Sequence, residues 1–502
     1  MDTNEKNIVA IDLGTSKIAL TVAKVSGENI QIIYYKEVPS SGIRYSSIFN
    51  VMRAKGPLSD LISQAEAELN MQITQVIVGM PKYPVIQENS NAKMQDRGES
   101  TVITEEDIVN LKNFAQSLYP LEDNSKLAIY GSVAQSFSDG EMFQIIEDEI
   151  VGMTSDTLEG NFKIFVGKKG DLNKIDTLMN NVNLAAIRKC FTAESTAKAV
   201  LSESEMENGV ALIDFGGGCT SVAIYHGNVM RHYASIPFGG CNITHDIKTE
   251  CRISESLAEN IKLAYGACMP EKLQNLSDKI LHIKSSNAEP DKQLPVKYLS
   301  EIITARVEEI ILAILYEIDA SNLGDMLRSG IVVTGGSANL ANLCPFINSL
   351  SGYKVRIGYP TNRFSYQGCD SVVETSAVTS IGLILSTIKD QAINCVVKGP
   401  AEVTIIDHGN GDGDGETVQV QGKIFPDSET IQVIKTDDKN EPKITTNSDD
   451  KPKSIRVTIE RFSKFGEFGK KLITKIGNIY DSLNEDENED EDEENNTTTD
   501  KE

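Results

Sequence analysis

The chain contains no tryptophan and only five histidines in 502 residues. Its eight cysteines, at 190, 219, 241, 251, 268, 344, 369 and 395, form no Cys-x-x-Cys pair. That scatter argues against a zinc site and against a disulfide framework, and fits a reducing compartment. No run of about 18 apolar residues occurs, so no candidate membrane-spanning helix is found. The first residues, Met1–Asn7, lack the basic-then-apolar form of a signal peptide. Positive charge is scarce too: 48 Lys and Arg stand against 73 Asp and Glu, a net charge of −25. The deficit is uneven, because Asp481–Glu502 holds twelve acids and one lysine. Such a chain lacks the basic footprint of nucleic-acid binding, and no nucleic-acid partner is expected.

Two apolar strands are followed by glycine turns. Val210-Ala211-Leu212-Ile213 runs into Asp214-Phe215-Gly216-Gly217-Gly218-Cys219-Thr220-Ser221, and Val222-Ala223-Ile224-Tyr225 runs out. This reads as strand, tight turn, strand. Glycine lets the backbone approach a ligand closely, and exposed N–H groups in such a turn suit a phosphate. An acid at the strand end suits hydrated Mg²⁺, which is held by one or two carboxylates and keeps its waters. Near the N-terminus the pattern recurs: Ile8–Ile11 leads to Asp12-Leu13-Gly14-Thr15-Ser16-Lys17, and Ile18–Ala23 returns. One hairpin alone is generic. Two, each with Asp before Gly, suggest similar halves clamping one nucleotide.

A third element, Gly330-Ile331-Val332-Val333-Thr334-Gly335-Gly336-Ser337-Ala338, is a β-branched strand entering Gly-Gly, with a helix-like segment to about Leu350. With these three elements in this order, the chain resembles the actin/Hsp70/sugar-kinase ATPase superfamily. Over about residues 5–390 it resembles most closely the bacterial FtsA cell-division family. Ile103-Thr104-Glu105-Glu106-Asp107-Ile108, the Asp139-Gly140 turn, Val151-Gly152-Met153 and Leu158-Glu159-Gly160 resemble that family's inserted subdomain 1C.

The resemblance implies an α/β, actin-like two-lobed ATPase fold with duplicated βββαβα halves and an inserted α+β 1C (SHS2-type) subdomain. A flexible linker and a C-terminal amphipathic helix would follow. Subdomain 1A would take 1–83 and 169–205, and 1C would take 84–168. Subdomain 2A would take 206–244 and 306–393, and 2B would take 245–305. Residues 394–452 would be linker, 453–483 the membrane-binding helix and 484–502 an acidic tail.

The same resemblance implies ATP and Mg²⁺ as cofactors. Asp12 and Asp214 would hold the metal, largely through water. Gly14, Thr15, Ser16 and Lys17, with Gly216, Gly217, Gly218 and Thr220, would hold phosphates. Gly335, Gly336 and Ser337 would hold the adenosine, and Glu259 and Lys262 the ribose and adenine. The last two also fit an ordinary i,i+3 ion pair of a few tenths of a kcal/mol. Hydrolysis needs an acid or amide that positions water. Glu194, in Thr192-Ala193-Glu194-Ser195-Thr196, is the one acid near the expected place and the candidate for that role, and weak or no ATPase activity is expected.

The local pattern supports this organisation. A strand is expected over Ile30–Val38 and a helix over 57–70, with Gln75–Gly79 a strand stopped by Pro81. Thr104 opens an amphipathic helix carrying Ile108, Leu111, Phe114, Ala115 and Leu118. Helices are expected over Leu172–Met179, Ala193–Leu201 and Ser254–Tyr265, the last with Ser254 as N-cap and Gly266 beyond its end. Leu299 to Ile318 forms a broad apolar helical stripe, and Val372–Ile388 is the expected final helix of the globular part.

Beyond about 394 the character changes. Asp407–Gly415 has the look of a calcium loop from Asn410, but its twelfth position is Gln421 rather than Glu, so a flexible acidic turn fits better. Residues 435–453 read as linker. Then Ile455, Ile459, Phe462, Phe465, Phe468, Leu472, Ile476, Ile479 and Leu483 recur at spacings of three or four. Arg461, Lys464, Lys470, Lys471 and Lys475 flank this face, and 453–480 holds seven basic and two acidic side chains. A basic amphipathic helix of this kind lies in a lipid interface, or docks on a protein. Gly466, Gly469 and Gly477 each cost about 1 kcal/mol of helix propensity, so it would form on binding. The FtsA resemblance implies attachment there to anionic lipid, at the cytoplasmic face of the inner membrane and the division septum. It further implies filament formation, tethering of the tubulin-like FtsZ ring, and recruitment of later division proteins through 1C. A pilus-assembly ATPase of the PilM type, or a sugar or acid kinase on the same fold, are the other readings.

Overall fold

The computed structural model describes residues 5–398, apart from 95–100, 142–143, 284–291, 362, 389 and 391. The segments read above as linker, calcium-like turn, amphipathic helix and acidic tail lie, beyond 398, outside the described residues. Residues 394–398, expected to open the linker, are still part of the fold: Val396–Lys398 pairs antiparallel with Met71–Ile73.

Two sheets repeat one plan. In the first, β1 (Lys6–Leu13), β2 (Lys17–Ser26) and β3 (Asn29–Pro39) form an antiparallel meander. Helix α1 (Val51–Leu69) crosses over to β4 (Gln75–Gly79), parallel to β1. Three further strands, β5 (Val85–Met94), β6 (Leu127–Ser138) and β7 (Leu158–Lys168), belong to a separate sheet with α2 (Glu105–Leu118). The first plan resumes with α3 (Lys169–Asn181), β8 (Ala185–Cys190), parallel to β4, and α4 (Thr192–Val200).

The second sheet starts with the meander β9 (Val210–Phe215), β10 (Thr220–His226) and β11 (Val229–Ile236). Helices α5 (Gly240–Cys251), α6 (Glu255–Tyr265) and α7 (Val296–Ala320) follow. Then β12 (Ile331–Thr334) lies parallel to β9, and after α8 (Leu343–Ser351) β13 (Val355–Ile357) lies parallel to β12. Helix α9 (Val378–Thr387), expected in the second half, instead returns to pack on α4 and on β1, β2 and β4 of the first sheet, where Val378, Ile381, Leu383 and Ile384 join the core of those strands. The orders β8-β4-β1-β2-β3 and β13-β12-β9-β10-β11 are equivalent, so the duplicated plan expected from the paired hairpins is present. The strands β9 and β12 are buried along their whole length, as their continuous apolar sequence requires of parallel strands covered on both faces.

The inserted unit has its own core, including Ile103, Ile108, Leu111, Phe137, Phe162 and Ile164. Thr104 caps α2 reciprocally with Asp107. Phe114 and Leu118, expected on the packing face, are instead 43 and 52 % exposed. Only Ile108, Leu111 and Ala115 fall within the narrower stripe that faces the three strands.

Two helix boundaries differ from expectation. Helix α1 starts at Val51, because the Asn50 side chain accepts from the Arg53 N–H, and Pro57 sits inside it. The final helix starts at Val378 rather than Val372, because Glu374 is extended (φ −77°, ψ 156°) between two short 3-10 turns. Helices α4 and α9 pack closely. Ser386 Oγ donates to Ser195 Oγ at 3.1 Å, and Thr196 and Thr379 hydroxyls lie 3.5 Å apart. Gly382 allows this approach: a Cβ there would collide with the Ser195 carbonyl. Among the described residues no helix is long and apolar enough to cross a membrane.

The seam generates a paired prediction. Gly382→Ala should lower stability by roughly 1–3 kcal/mol through overpacking. Gly56→Ala, in α1 with nothing within 4 Å of the added Cβ, should raise it by up to about 1 kcal/mol. Urea unfolding midpoints of the two variants should move in opposite directions.

Candidate functional site

The two meanders deliver their acids to one cleft. Asp12, in β1, and Asp214, in β9, both line a cavity of about 520 Å³ between the lobes. The turn after each acid closes in the same way. Gly14 N donates to Lys17 O at 3.0 Å, and Gly216 N donates to Cys219 O at 3.1 Å. The turns face each other tightly. A Cβ on Gly217 would collide with Ser16 Oγ, and one on Gly218 with Thr15 Oγ1.

The third turn joins them. Gly335 has φ +91°, and a Cβ there would lie 2.6 Å from Phe215 O and 2.7 Å from Asp214 Oδ1. Ser337 Oγ donates to Gly216 O at 3.1 Å. On α6, Glu259 and Lys262 form the i,i+3 ion pair at 2.7 Å while also lining the cavity, so the two sequence readings of this pair coexist. Lys262 Nζ further donates to Gly240 O at 3.0 Å and Thr244 Oγ1 at 2.9 Å. The helix ends as expected, with Ser254 Oγ accepting from Leu257 N and Gly266 against the Lys262 carbonyl.

Gly14, Thr15, Ser16, Lys17, Gly216, Gly217, Gly218, Gly335, Gly336 and Ser337 thus all border the cavity with Glu259 and Lys262. Two sequence assignments do not. Thr220 is fully buried, and its Oγ1 donates to Phe238 O at 2.8 Å. Side chains alternate along a strand, so it points away from the face that Cys219 presents to the cleft. Glu194 does not line the cavity either; its charge acts on Tyr225 and Cys190 instead. The hydroxyl-bearing positions Ser195 and Thr196 take the α9 side of its helix. Lys17 borders the cavity, but its ammonium pairs with Glu37 and donates to Tyr35 Oη at 3.3 Å.

Lys82 was not singled out in the sequence, yet it sits at the centre of the site. It follows β4 by three residues, in Met80-Pro81-Lys82-Tyr83-Pro84. Its ammonium pairs with Asp214 and lies 3.4 Å from Thr379 Oγ1. Parallel strands gather ligands at their carboxyl ends, and β4 ends beside β1. That topological rule was the signal available. Asn339, Thr375 and Ser376 also line the cavity.

Burial raises the Asp12 carboxyl above its ordinary range, against the lowering pull of Lys82 and Lys17, and the Asp214 charge adds to the rise. For Lys82, burial opposes the charged form, but Asp214 and Asp12 outweigh it and hold the ammonium firmly protonated. Cys219 is buried in the second turn, and its thiol is pushed up to about 12, which makes it a poor nucleophile. Among the described residues no group of three or more His, Cys, Asp or Glu could hold a metal ion by itself. Two carboxylates beside two N–H-rich turns nevertheless fit Mg²⁺ in the form it usually takes, hydrated and shared with substrate phosphates.

The family model described as "Cell division protein FtsA" matches residues 211–382, which span the second hairpin, α6, the Gly335 turn and the start of α9. The cell division protein FtsA of Neisseria meningitidis is 27 % identical over 395 residues, covering 78 % of this chain and 92 % of that protein. That of Enterococcus hirae is 29 % identical over 355 residues, 70 % of this chain and 78 % of the other. That of Escherichia coli K12 is 25 % identical over 391 residues, 76 and 90 % of the two chains. The chain is similar to FtsA cell-division proteins over most of its length. A solved structure of a PilM–PilN type IV pilus biogenesis complex shares its fold, with TM-score 0.54, 11 % identity, and coverage of 76 % of this chain and 98 % of that one. The fold of this FtsA-like chain is therefore the actin-like one expected from its hairpins.

In an FtsA-like protein built this way, Gly335 cannot be replaced without cost. Gly335→Ala forces an L-residue into positive φ and presses on the Asp214 carboxylate, and should destabilise the protein by about 1–3 kcal/mol. A denaturant titration against wild type measures this. Gly336→Ala, with no atom within 4 Å of the added Cβ, should cost less.

Proposed function

We propose that this protein is an FtsA-type tether, an actin-like ATP-binding protein that polymerises on the cytoplasmic face of the inner membrane at the division septum. It would hold the FtsZ ring there and recruit later division proteins through the inserted unit of β5–β7 and α2. The observation that carries the reading is the pair of Asp–Gly hairpins facing one cleft, in a chain similar to FtsA proteins over most of its length.

In this reading the nucleotide lies across the cleft. The N–H groups of the turns at Gly14–Lys17 and Gly216–Gly218 cradle the phosphates. Asp12 and Asp214 hold Mg²⁺ largely through its waters; when bound, the ion supplies charge neutralisation for the phosphates. Glu259 and Lys262 hold the sugar and base, and Gly335–Ser337 the adenosine. Thr220 supports the second turn from behind. Glu194 does not border the cleft, which fits weak or no turnover. Nucleotide acts as an assembly ligand, with weak or no turnover.

Membrane attachment rests on the sequence of 453–483. Phe462, Phe465, Phe468, Leu472 and Ile476 would enter the acyl boundary, and Arg461, Lys464, Lys470, Lys471 and Lys475 would meet anionic headgroups. The acidic tail that follows would be repelled by the same lipid and either project into the cytosol or weaken attachment. Co-sedimentation with anionic vesicles tests this. The full chain should pellet, while a truncation after Lys451 and the double variant Phe462→Asp, Phe465→Asp should stay in solution. Added FtsZ should pellet only with the full chain. If all three forms stay soluble with and without nucleotide, the tether reading fails. The fold similarity to PilM then favours a pilus-assembly scaffold, with a kinase of the same fold behind it.

A further inference from the structure

The cleft brings two acids of like charge from different lobes to one place, and a lysine already stands against them. Lys82 belongs to the first lobe and Asp214 to the second, so their ion pair spans the cleft. Both side chains are nearly closed off from solvent, at 13 and 8 % exposure. Asp12 is near enough to act on the same ammonium. A compact cation against two carboxylates at the ends of β1 and β9 is in the place where a hydrated divalent ion would be held.

The lysine is also anchored from behind. Its backbone carbonyl accepts from Tyr233 Oη at 2.7 Å, which fixes the segment between β4 and the inserted unit to β11 of the other lobe. Beside the acids, its hydrogen-bond partner is Thr379 Oγ1, at 3.4 Å.

We propose that Lys82 is a built-in counter-ion of the cleft, and that a divalent cation competes with it for the Asp12 and Asp214 carboxylates. With no nucleotide, the lysine neutralises the two acids and holds the lobes together. When a divalent ion takes the carboxylates, the inter-lobe pair is broken and the ammonium is freed toward the space beside the turns. Lys82 is thus a positioning residue that sets how strongly the site demands metal. The proposal rests on the reading of Asp12 and Asp214 as the metal acids, but its test needs no nucleotide, so the two can fail separately.

Melting temperatures of the nucleotide-free full chain, in chelator and in millimolar Mg²⁺ alone, decide the matter. Wild type should show little Mg²⁺ response, because the ion must displace a bonded ammonium. Lys82→Met should melt several degrees lower in chelator, since buried Asp214 and its neighbour Asp12 lose their counter-ion. It should recover most of that loss in Mg²⁺. Lys82→Gln, which keeps a donor toward Asp214 and loses the charge, provides a milder variant with the same expected Mg²⁺ rescue should Lys82→Met not fold. Lys82→Arg should behave as wild type. Adding Asp214→Asn to Lys82→Gln should abolish the rescue. A Mg²⁺ gain in wild type as large as in Lys82→Gln overturns the proposal, because the lysine then offers no competition. So does a Lys82→Gln protein that gains nothing from Mg²⁺, because the lysine would then be a structural partner of Asp214 alone.

Discussion

Asp12 and Asp214 end equivalent strands of two equivalent sheets and meet at one cleft. Their mutual repulsion in a partly dehydrated site has to be met by positive charge. Lys82 provides it from the first lobe, and both glycine turns border the same space. The rest of the molecule can be understood as the means of holding this charge arrangement in register. The parallel strands β4 and β12 flank the acids on the same side, and the turn at Gly335 presses against the Asp214 carboxylate. The site is therefore electrostatically incomplete without a cation, and the structure meets that need from within its own chain.

The chain returns from the second sheet to the first through contacts far apart in sequence. Helices α4 and α9 meet through small and hydroxyl-bearing side chains, at a distance that Gly382 permits. Ser365–Tyr366, from beyond the second sheet, pairs with β3 of the first. The inserted unit also bridges the lobes. Gln87, on β5, accepts from Tyr233 N at 2.9 Å, and Gln135, on β6, donates to Met230 O at 3.0 Å. Lys82, between β4 and β5, touches both Asp214 of the second half and Thr379 of α9.

Much of this was legible in the sequence because it is written locally. Asp before Gly after an apolar strand, repeated, marked both hairpins. Ser254 and Gly266 bracketed α6, and the β-branched run before Gly335 marked the third turn. What escaped depends on three-dimensional neighbours. Lys82 carries no local signal and matters only because β4 lies parallel to β1. Thr220 belongs to the glycine motif by sequence, but strand alternation turns it inward. Glu194 sits near the expected position along the chain but does not border the cavity. Phe114 and Leu118 fit a helical stripe that proved broader than the sheet it covers. The final helix was overextended because nothing local announced the break at Glu374.

Isothermal titration calorimetry of the full chain with ATP in Mg²⁺ tests the central claim most directly, with Asp12→Asn and Asp214→Asn measured alongside. One nucleotide per chain, bound substantially more weakly by either variant, is the result that a two-hairpin clamp predicts. Absence of binding by the folded wild type, or equal affinity after removal of either acid, would contradict it.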